Sequence, residues 1–315
     1  MPRDIFVEGY TDGVLAIEGN RTGLVEAIRE GMVKFEEQQD GRVDFSKFPV
    51  AGTTIEVRPE DLLPTGEVSG VLSSKGILRD LVLGRTTIYP FDPRSLGDNS
   101  YDLKIAEDYY VIKPQFKWVL PFPGTMRMLL LDRFFGKHSH VFNPWSKVDS
   151  ERYWEKPRRA RTPEQLKRDL KVKDLNGFRN GDLILAAYPG TMLLGSTQEF
   201  VGTGGNVGIV SARSSIGRSH WTVCEDAFLI NQRYKNRIAL ELRSKFSPEY
   251  EDHWNILIVG ERVAQIAFLS SEEALGSELQ RQTKYSQSGK PLDEIIRDWT
   301  PQEMLPKLYK DREGR

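Results

Sequence analysis

From residue 181 to residue 270 the chain is a succession of short apolar segments closed by turn residues: DLILAAYPG, TMLLGSTQEFVG, NVGIVSA, HWTVCE, AFLIN, RIALELR, WNILIVG and RVAQIAFL. Successive parallel strands need a crossover of about a dozen residues, and these gaps leave no room for one. The spacing therefore predicts a mainly β fold of antiparallel strands, curled into a barrel or stacked as a sandwich. One segment also declares its orientation. In RIALELR, Ile238, Leu240 and Leu242 fall on one face and Arg237, Ala239, Glu241 and Arg243 on the other, the period-two pattern of a half-exposed strand.

The flanking regions read differently. A helix is predicted from Gly23 to Glu37, where Leu24, Ala27, Ile28, Met32 and Phe35 recur near helical spacing. RPEDLLPTGEVSG, from Arg58 to Gly70, is rich in Pro and Gly and reads as a linker. In VLSSKGILRDLVLGR, Ser73 or Ser74 offers an N-cap, Ile77, Leu78, Leu81 and Val82 a buried stripe, and Gly84 a stop. TTIYPFDP and SYDLKI follow as extended segments. Residues 116–180 look inserted, with aromatics (Phe134, Phe135, Trp145, Tyr153, Trp154), bases (Lys156, Arg158, Arg159, Arg161) and one helix, TPEQLKRDLKV, capped by Thr162. The chain thus divides into a partly helical N-terminal extension (1–68), a main domain (69–290) carrying that insertion, and a helical tail (291–315) interrupted by Pro301 and Pro306.

Composition narrows the function classes. Lysine and arginine number 44 against 45 acidic residues, so no global field draws the chain to nucleic acid or an anionic membrane, and an anion site must be built locally. EKPRRARTPEQLKRDLK reads as a solvated helix face rather than a nucleic-acid contact. The single cysteine, Cys224, allows neither an intrachain disulfide nor a CxxC pair, and a reducing, cytoplasmic setting is expected. The opening MPRDIFVEGYTDG lacks the pattern of a signal peptide, and the apolar run Met128 to Leu131 is too short to span a bilayer. Four histidines, at 138, 140, 220 and 253, come without the HxE and PCxxC pairing that binds zinc in nucleobase deaminases. VGTGGNVG does not fit GxGxxG and reads as a hairpin turn.

Three stretches carry candidate chemistry. SARSSIGRSH places two arginines, permanently charged and fork-shaped, around two small hydroxyls; it is either an anion grip or a solvated polar turn. Glu241 in RIALELR is either a surface carboxylate paired with its flanking arginines or a general base whose pKa is set by burial. QTKYSQSGKP joins a cation, an aromatic ring and flexible residues, and is either an ordinary loop or a lid over a charged ligand.

Taken together and in order, these pieces resemble the dCTP deaminase branch of the trimeric dUTPase-like superfamily. VLSSKGILRDLVLGRTTIYPFDPRSLGDNSYDLKI is similar to that family's opening helix, its I-x-PFDP strand and its SYDL strand. YPGTMLLGSTQEFVG is similar to its PGxFxLxxTxE segment, and from Arg213 to Glu241 the spacing fits the family without a gap. The resemblance leaves the extension, the insertion and the tail unaccounted for.

What the resemblance implies is a dUTPase-like distorted antiparallel β-barrel or jelly-roll core with a few peripheral helices. It implies a homotrimer with shared sites that hydrolyses dCTP to dUTP and ammonia without a catalytic metal. Mg2+ would arrive with the triphosphate, and zinc is not expected. Glu241 is implied as general base and acid, Ser214 as the hydroxyl that positions the water, and Arg218 as the cation beside the reacting centre and phosphates. Arg213 and Ser215 complete the phosphate-side turn, and Ala227 is the small residue beneath the base. Asn231 and Tyr234 are implied on the substrate side. Lys284 and Tyr285 match the KY of a C-terminal lid, with Gln287 or Ser288 as its glutamine.

Two departures qualify this. Asn231 stands where both branches carry an aspartate, which in dUTPases activates the water that cleaves the triphosphate; an amide cannot act as that base but can still hydrogen-bond a sugar hydroxyl. Glu225 and Asp226 replace apolar and small residues in the base-binding strand, so a modified cytosine stays open as the base. The alternatives are a dUTPase or bifunctional enzyme, and a non-catalytic nucleotide-binding regulator.

Overall fold

Two antiparallel sheets close over one apolar core. The computed structural model describes residues 5–6, 56–57, 70–82, 84–112, 143–171, 177–224, 226–245, 254–272 and 284–312. The predicted helix at 23–37, nearly all of the linker, the run at 128–131, Glu225 and the histidines at 138, 140 and 253 lie outside them. In chain order the strands are β1 (Ile5–Phe6), β2 (Glu56–Val57), β3 (Gly70–Val71), β4 (Thr87–Tyr89), β5 (Tyr101–Lys104), β6 (Asp108–Val111), β7 (Arg158–Arg159), β8 (Ile184–Ala187), β9 (Met192–Gly202), β10 (Asn206–Ala212), β11 (Trp221–Val223), β12 (Leu229–Ile230), β13 (Lys235–Ser244), β14 (Asn255–Ile258) and β15 (Arg262–Ser270). The helices are α1 (Ser74–Val82), α2 (Lys147–Tyr153), α3 (Pro163–Leu170), α4 (Ser214–Arg218) and α5 (Leu292–Asp298).

One sheet is ordered β12-β10-β15-β3, with β5 also on β15; the other is β11-β13-β9-β6-β7, with β4 also on β9; β8 and β14 pair apart from both. Every strand pair among the described residues is antiparallel, as the short gaps predict. The core between the sheets takes Leu103, Val210, Ile266 and Phe268 from one side and Leu193, Val201, Ile238, Leu240 and Leu242 from the other. Helix α1 closes it with Ile77, Leu78 and Leu81. Ser73, rather than Ser74, caps that helix: its hydroxyl accepts from the Gly76 N–H at 3.4 Å. Gly84, at φ 65°, turns the chain out of it. No helix among the described residues is long and apolar enough to cross a membrane.

β9 does not alternate because both its faces are covered. Leu193 and Val201 enter the main core, while Leu194 packs with Tyr110, Trp154 and Met304, and Phe200 with Leu292 and Ile295. Trp154 comes from the insertion and Met304 from the tail, so two of the three segments unaccounted for by the resemblance use this second face. The insertion's helix α3 is capped as predicted by Thr162, and more fully: Thr162 and Gln165 make a reciprocal capping box.

VGTGGNVG needs correcting. It is a turn, with Gly204 at φ 51°, but β9 and β10 belong to different sheets and do not pair, so it is a corner rather than a hairpin. The corner is fixed from outside: Thr203 N–H donates to Tyr234 O at 3.0 Å and Arg233 N–H to Gly204 O at 2.7 Å. Just beyond it the buried Asn206 amide donates to Asp80 at 2.7 Å, tying the turn to α1.

Glu199 of β9 is buried between the sheets, where it accepts from the Lys104 N–H at 3.0 Å. Burial pushes its carboxyl up to about 7, against the smaller pull of that hydrogen bond and of the Lys104 and Arg237 charges. A carboxyl that holds its proton more tightly when folded stabilises the fold most below its unfolded value of about 4.5, and that contribution is lost as pH rises to about 7. Glu199→Gln, which keeps an acceptor for Lys104, is expected to abolish this dependence. From pH 4.5 to 7 the wild type should lose up to about 3 kcal/mol that the variant retains, as read from denaturation midpoints. Equal losses in both proteins would mean that Glu199 is already ionised in the fold.

Candidate active site

The RSSIGR stretch is a single helical turn. β10 ends at Ala212, Arg213 stays extended (φ −63°, ψ 142°) with its N–H on Val263 O at 3.1 Å, and α4 follows. Its only apolar side chain, Ile216, packs on the main core, which leaves Ser214, Ser215 and Arg218 exposed. His220, at φ 61°, then returns the chain into β11, against which α4 packs.

Arg213 is held by a residue to which no role was assigned from sequence. Its Nε lies 3.1 Å from Asp102 of the SYDL strand, and Arg262 reaches the same carboxylate oxygen at 3.4 Å. Burial holds the Asp102 carboxyl above its ordinary value, against the pull of both arginines. Arg213 therefore enters the site already partly neutralised and oriented. The signal was present: in Tyr101–Lys104 the residues alternate buried and half-exposed, and Asp102 is an acid on the outer face that needs a partner.

Glu241 sits half-buried on the polar face of β13, between exposed Ala239 and Arg243, in register with Leu194 of β9. β11 ends beside it, with Val223 opposite Leu242. The next residue, Cys224, is buried with φ 55°, and its thiol is pushed up to about 12, first by burial and then by the Glu241 charge. Beyond Cys224 the chain passes through Ala227 and Phe228, both exposed, with Phe228 O accepting from Val210 N–H at 2.8 Å. Asn231 is exposed as well, and its carbonyl accepts from the Thr203 hydroxyl at 2.7 Å.

The other residues that the resemblance implies on the substrate side gather elsewhere. Tyr234 donates its hydroxyl proton to Arg237 O at 2.5 Å, and burial raises that phenol above its usual range. Gln287 N–H donates to Lys235 O at 3.0 Å, and the Asn236 amide to Tyr285 O at 3.0 Å. Residues 284–287 are thus docked along the start of β13. Lys235 and Glu241 are six residues apart on that strand, about 20 Å at the rise of extended chain. Within one chain the structure brings Ser214, Ser215 and Arg218 together on α4 and sets Glu241 beside the end of β11. It leaves Tyr234, Lys284, Tyr285 and Gln287 at the far end of β13. Among the described residues no group of three or more His, Cys, Asp or Glu is placed to hold a metal ion.

No family model matches this sequence, and no curated protein does. Among solved structures the chain is similar to 2′-deoxycytidine 5′-triphosphate deaminase from Agrobacterium tumefaciens, at 15% identity and TM-score 0.39, covering 67% of this chain and 52% of that one. It is also similar to a variant of the Staphylococcus bacteriophage 80alpha dUTPase (13% identity, TM-score 0.24, covering 35% of this chain and 90% of that one). An EIAV dUTPase is similar at 15% identity and TM-score 0.25, covering 34% and 90%. This chain thus spans about half the length of the Agrobacterium protein. Likenesses of this size fix no activity.

Proposed function

We propose that this chain hydrolyses the 4-amino group of dCTP, taken up as its magnesium complex, to give dUTP and ammonia. The observation that carries the reading is the joining of two motifs quoted separately from the sequence: Asp102 of SYDL holds Arg213 at the head of RSSIGR at 3.1 Å. That contact orients the turn bearing Ser214 and Arg218, and Glu241 follows on β13, just past a shift in its pairing with β9 between Arg237 and Ala239.

The chemistry needs water delivered to C4, a proton placed on N3, and a proton for the departing amine. Glu241 serves all three by passing one proton of the water to N3 as the oxygen bonds to C4, and then the second, from the C4 hydroxyl, to the amine as the C4–N bond breaks, the carbonyl forms and ammonia leaves. Ser214 orients the water and Arg218 steadies the charge that develops, with fixed donors in place of solvent. Arg213 and Ser215 face the phosphates, Ala227 leaves room beneath the base, and Asn231 hydrogen-bonds the sugar. Because Tyr285 and Gln287 dock on Asn236 and Lys235, about 17–20 Å along β13 from Glu241, a complete site combines the two ends from different copies, and the reading includes a homotrimer with shared sites.

The test is incubation with magnesium and each deoxynucleoside triphosphate in turn, following ammonia, base identity and pyrophosphate. Ammonia and dUTP from dCTP, with no pyrophosphate, is the expected result. Pyrophosphate from dUTP would overturn the reading of Asn231, and tight nucleotide binding without turnover would make the chain a regulator.

A further inference from the structure

The C-terminal tail, which the resemblance leaves without a role, touches two of the residues assigned to substrate. Lys284 Nζ pairs with Asp311 Oδ2 at 2.5 Å. The Tyr285 hydroxyl accepts from the Lys307 N–H at 2.9 Å, and the Lys307 ammonium lies 5.4 Å from the centre of the Tyr285 ring. Lys307 is itself paired with Glu303 at 2.8 Å.

The tail reaches these residues from a fixed base. The Trp299 ring lies 4.4 Å from the Arg237 guanidinium, which also lies 4.9 Å from the Phe200 ring. Leu292 and Ile295 pack on Phe200, and Met304 on Tyr110 and Trp154. Asp311 is therefore carried to Lys284 by an anchored segment rather than by chance of a wandering terminus.

The two ion pairs differ in exposure. Lys307 and Glu303 are 12% and 29% exposed, whereas Lys284 and Asp311 are 24% and 45% exposed. A pair as open as the second contributes little net stability. A triphosphate brings several negative oxygens to the same ammonium and forms the stronger charge-assisted bonds.

We propose that Asp311 is a built-in stand-in for a substrate phosphate, pairing with Lys284 until a triphosphate takes its place. The proposal rests on Lys284 being a substrate-side residue, as argued above. The tail is then an affinity-setting latch: whatever the Lys284–Asp311 pair contributes is subtracted from nucleotide binding, because that pair must open first.

Calorimetric titration with inorganic tripolyphosphate tests this independently of catalysis. Asp311→Asn is expected to tighten binding by about twofold to fivefold. Lys284→Gln should weaken it, and in that background Asp311→Asn should change nothing further. Asp298→Asn removes another tail carboxylate, one paired with Arg297 at 3.0 Å, and should leave affinity unchanged. An Asp311→Asn effect matched by Asp298→Asn, or one persisting without Lys284, would overturn the proposal. With dCTP, the KM of Asp311→Asn should fall by the same factor at constant kcat. Tripolyphosphate affinities in the expected pattern without dCTP turnover would defeat the deaminase reading alone. Turnover with neither Kd nor KM shifted would defeat the latch alone.

Discussion

Glu241→Gln is expected to lower kcat for dCTP deamination about a hundredfold to ten-thousandfold, the usual contribution of a positioned acid–base group. The amide keeps the size and one acceptor of the carboxylate but cannot take a proton from water. Glu241 lies on the half-exposed face of β13, with its neighbours Leu240 and Leu242 supplying the core, so the variant should fold normally. Its denaturation midpoint should stay within about 0.5 kcal/mol of the wild type, as for surface changes generally. Deamination surviving in a folded Glu241→Gln protein would remove Glu241 from the mechanism. A loss of activity together with a loss of stability would instead assign it a structural role.

Gly204→Ala should be among the most damaging single changes available to this fold. A methyl group there would lie 1.8 Å from Arg85 O, a backbone atom, and the residue already sits at φ 51°. The corner between the two sheets must then move, taking with it the Arg233 N–H to Gly204 O bond and the nearby Asn206 amide that holds Asp80. A loss of about 4 kcal/mol or more is expected, or no folded protein at all. Gly205→Ala is the control one residue away, since a methyl there meets nothing within 4 Å. Thermal melts of the two should differ by about 10 °C or more; similar melts would show that the corner can rearrange.

Much of the fold was legible because local pattern and burial agree. The alternation of RIALELR predicted which side chains of β13 enter the core, and TPEQLKRDL carried its helix cap in plain view, although the Gln165 half of the capping box went unread. What stayed hidden was what depends on distant chain. VGTGGNVG has the residues of a hairpin turn, and only the pairing of β9 with β13 and of β10 with β15 makes it a corner. The ion pair between Asp102 and Arg213 joins strands far apart in sequence, so neither residue's surroundings announce the other. Lys284 and Tyr285 stand out in the sequence only through the resemblance of KY to a lid motif. Their tethers, Asp311 and Lys307, follow no motif and depend on how the tail docks over Phe200.

β13 buries Asn236, Ile238, Leu240, Leu242 and Ser244 and presents Lys235, Arg237, Ala239, Glu241 and Arg243 on its other face. Side chains on that face can change with little effect on the packing between the sheets. Substitutions at alternate positions of this one strand therefore alter what its outer face presents while leaving the core side chains in place. Packing and surface chemistry thus occupy alternate positions of the same ten residues.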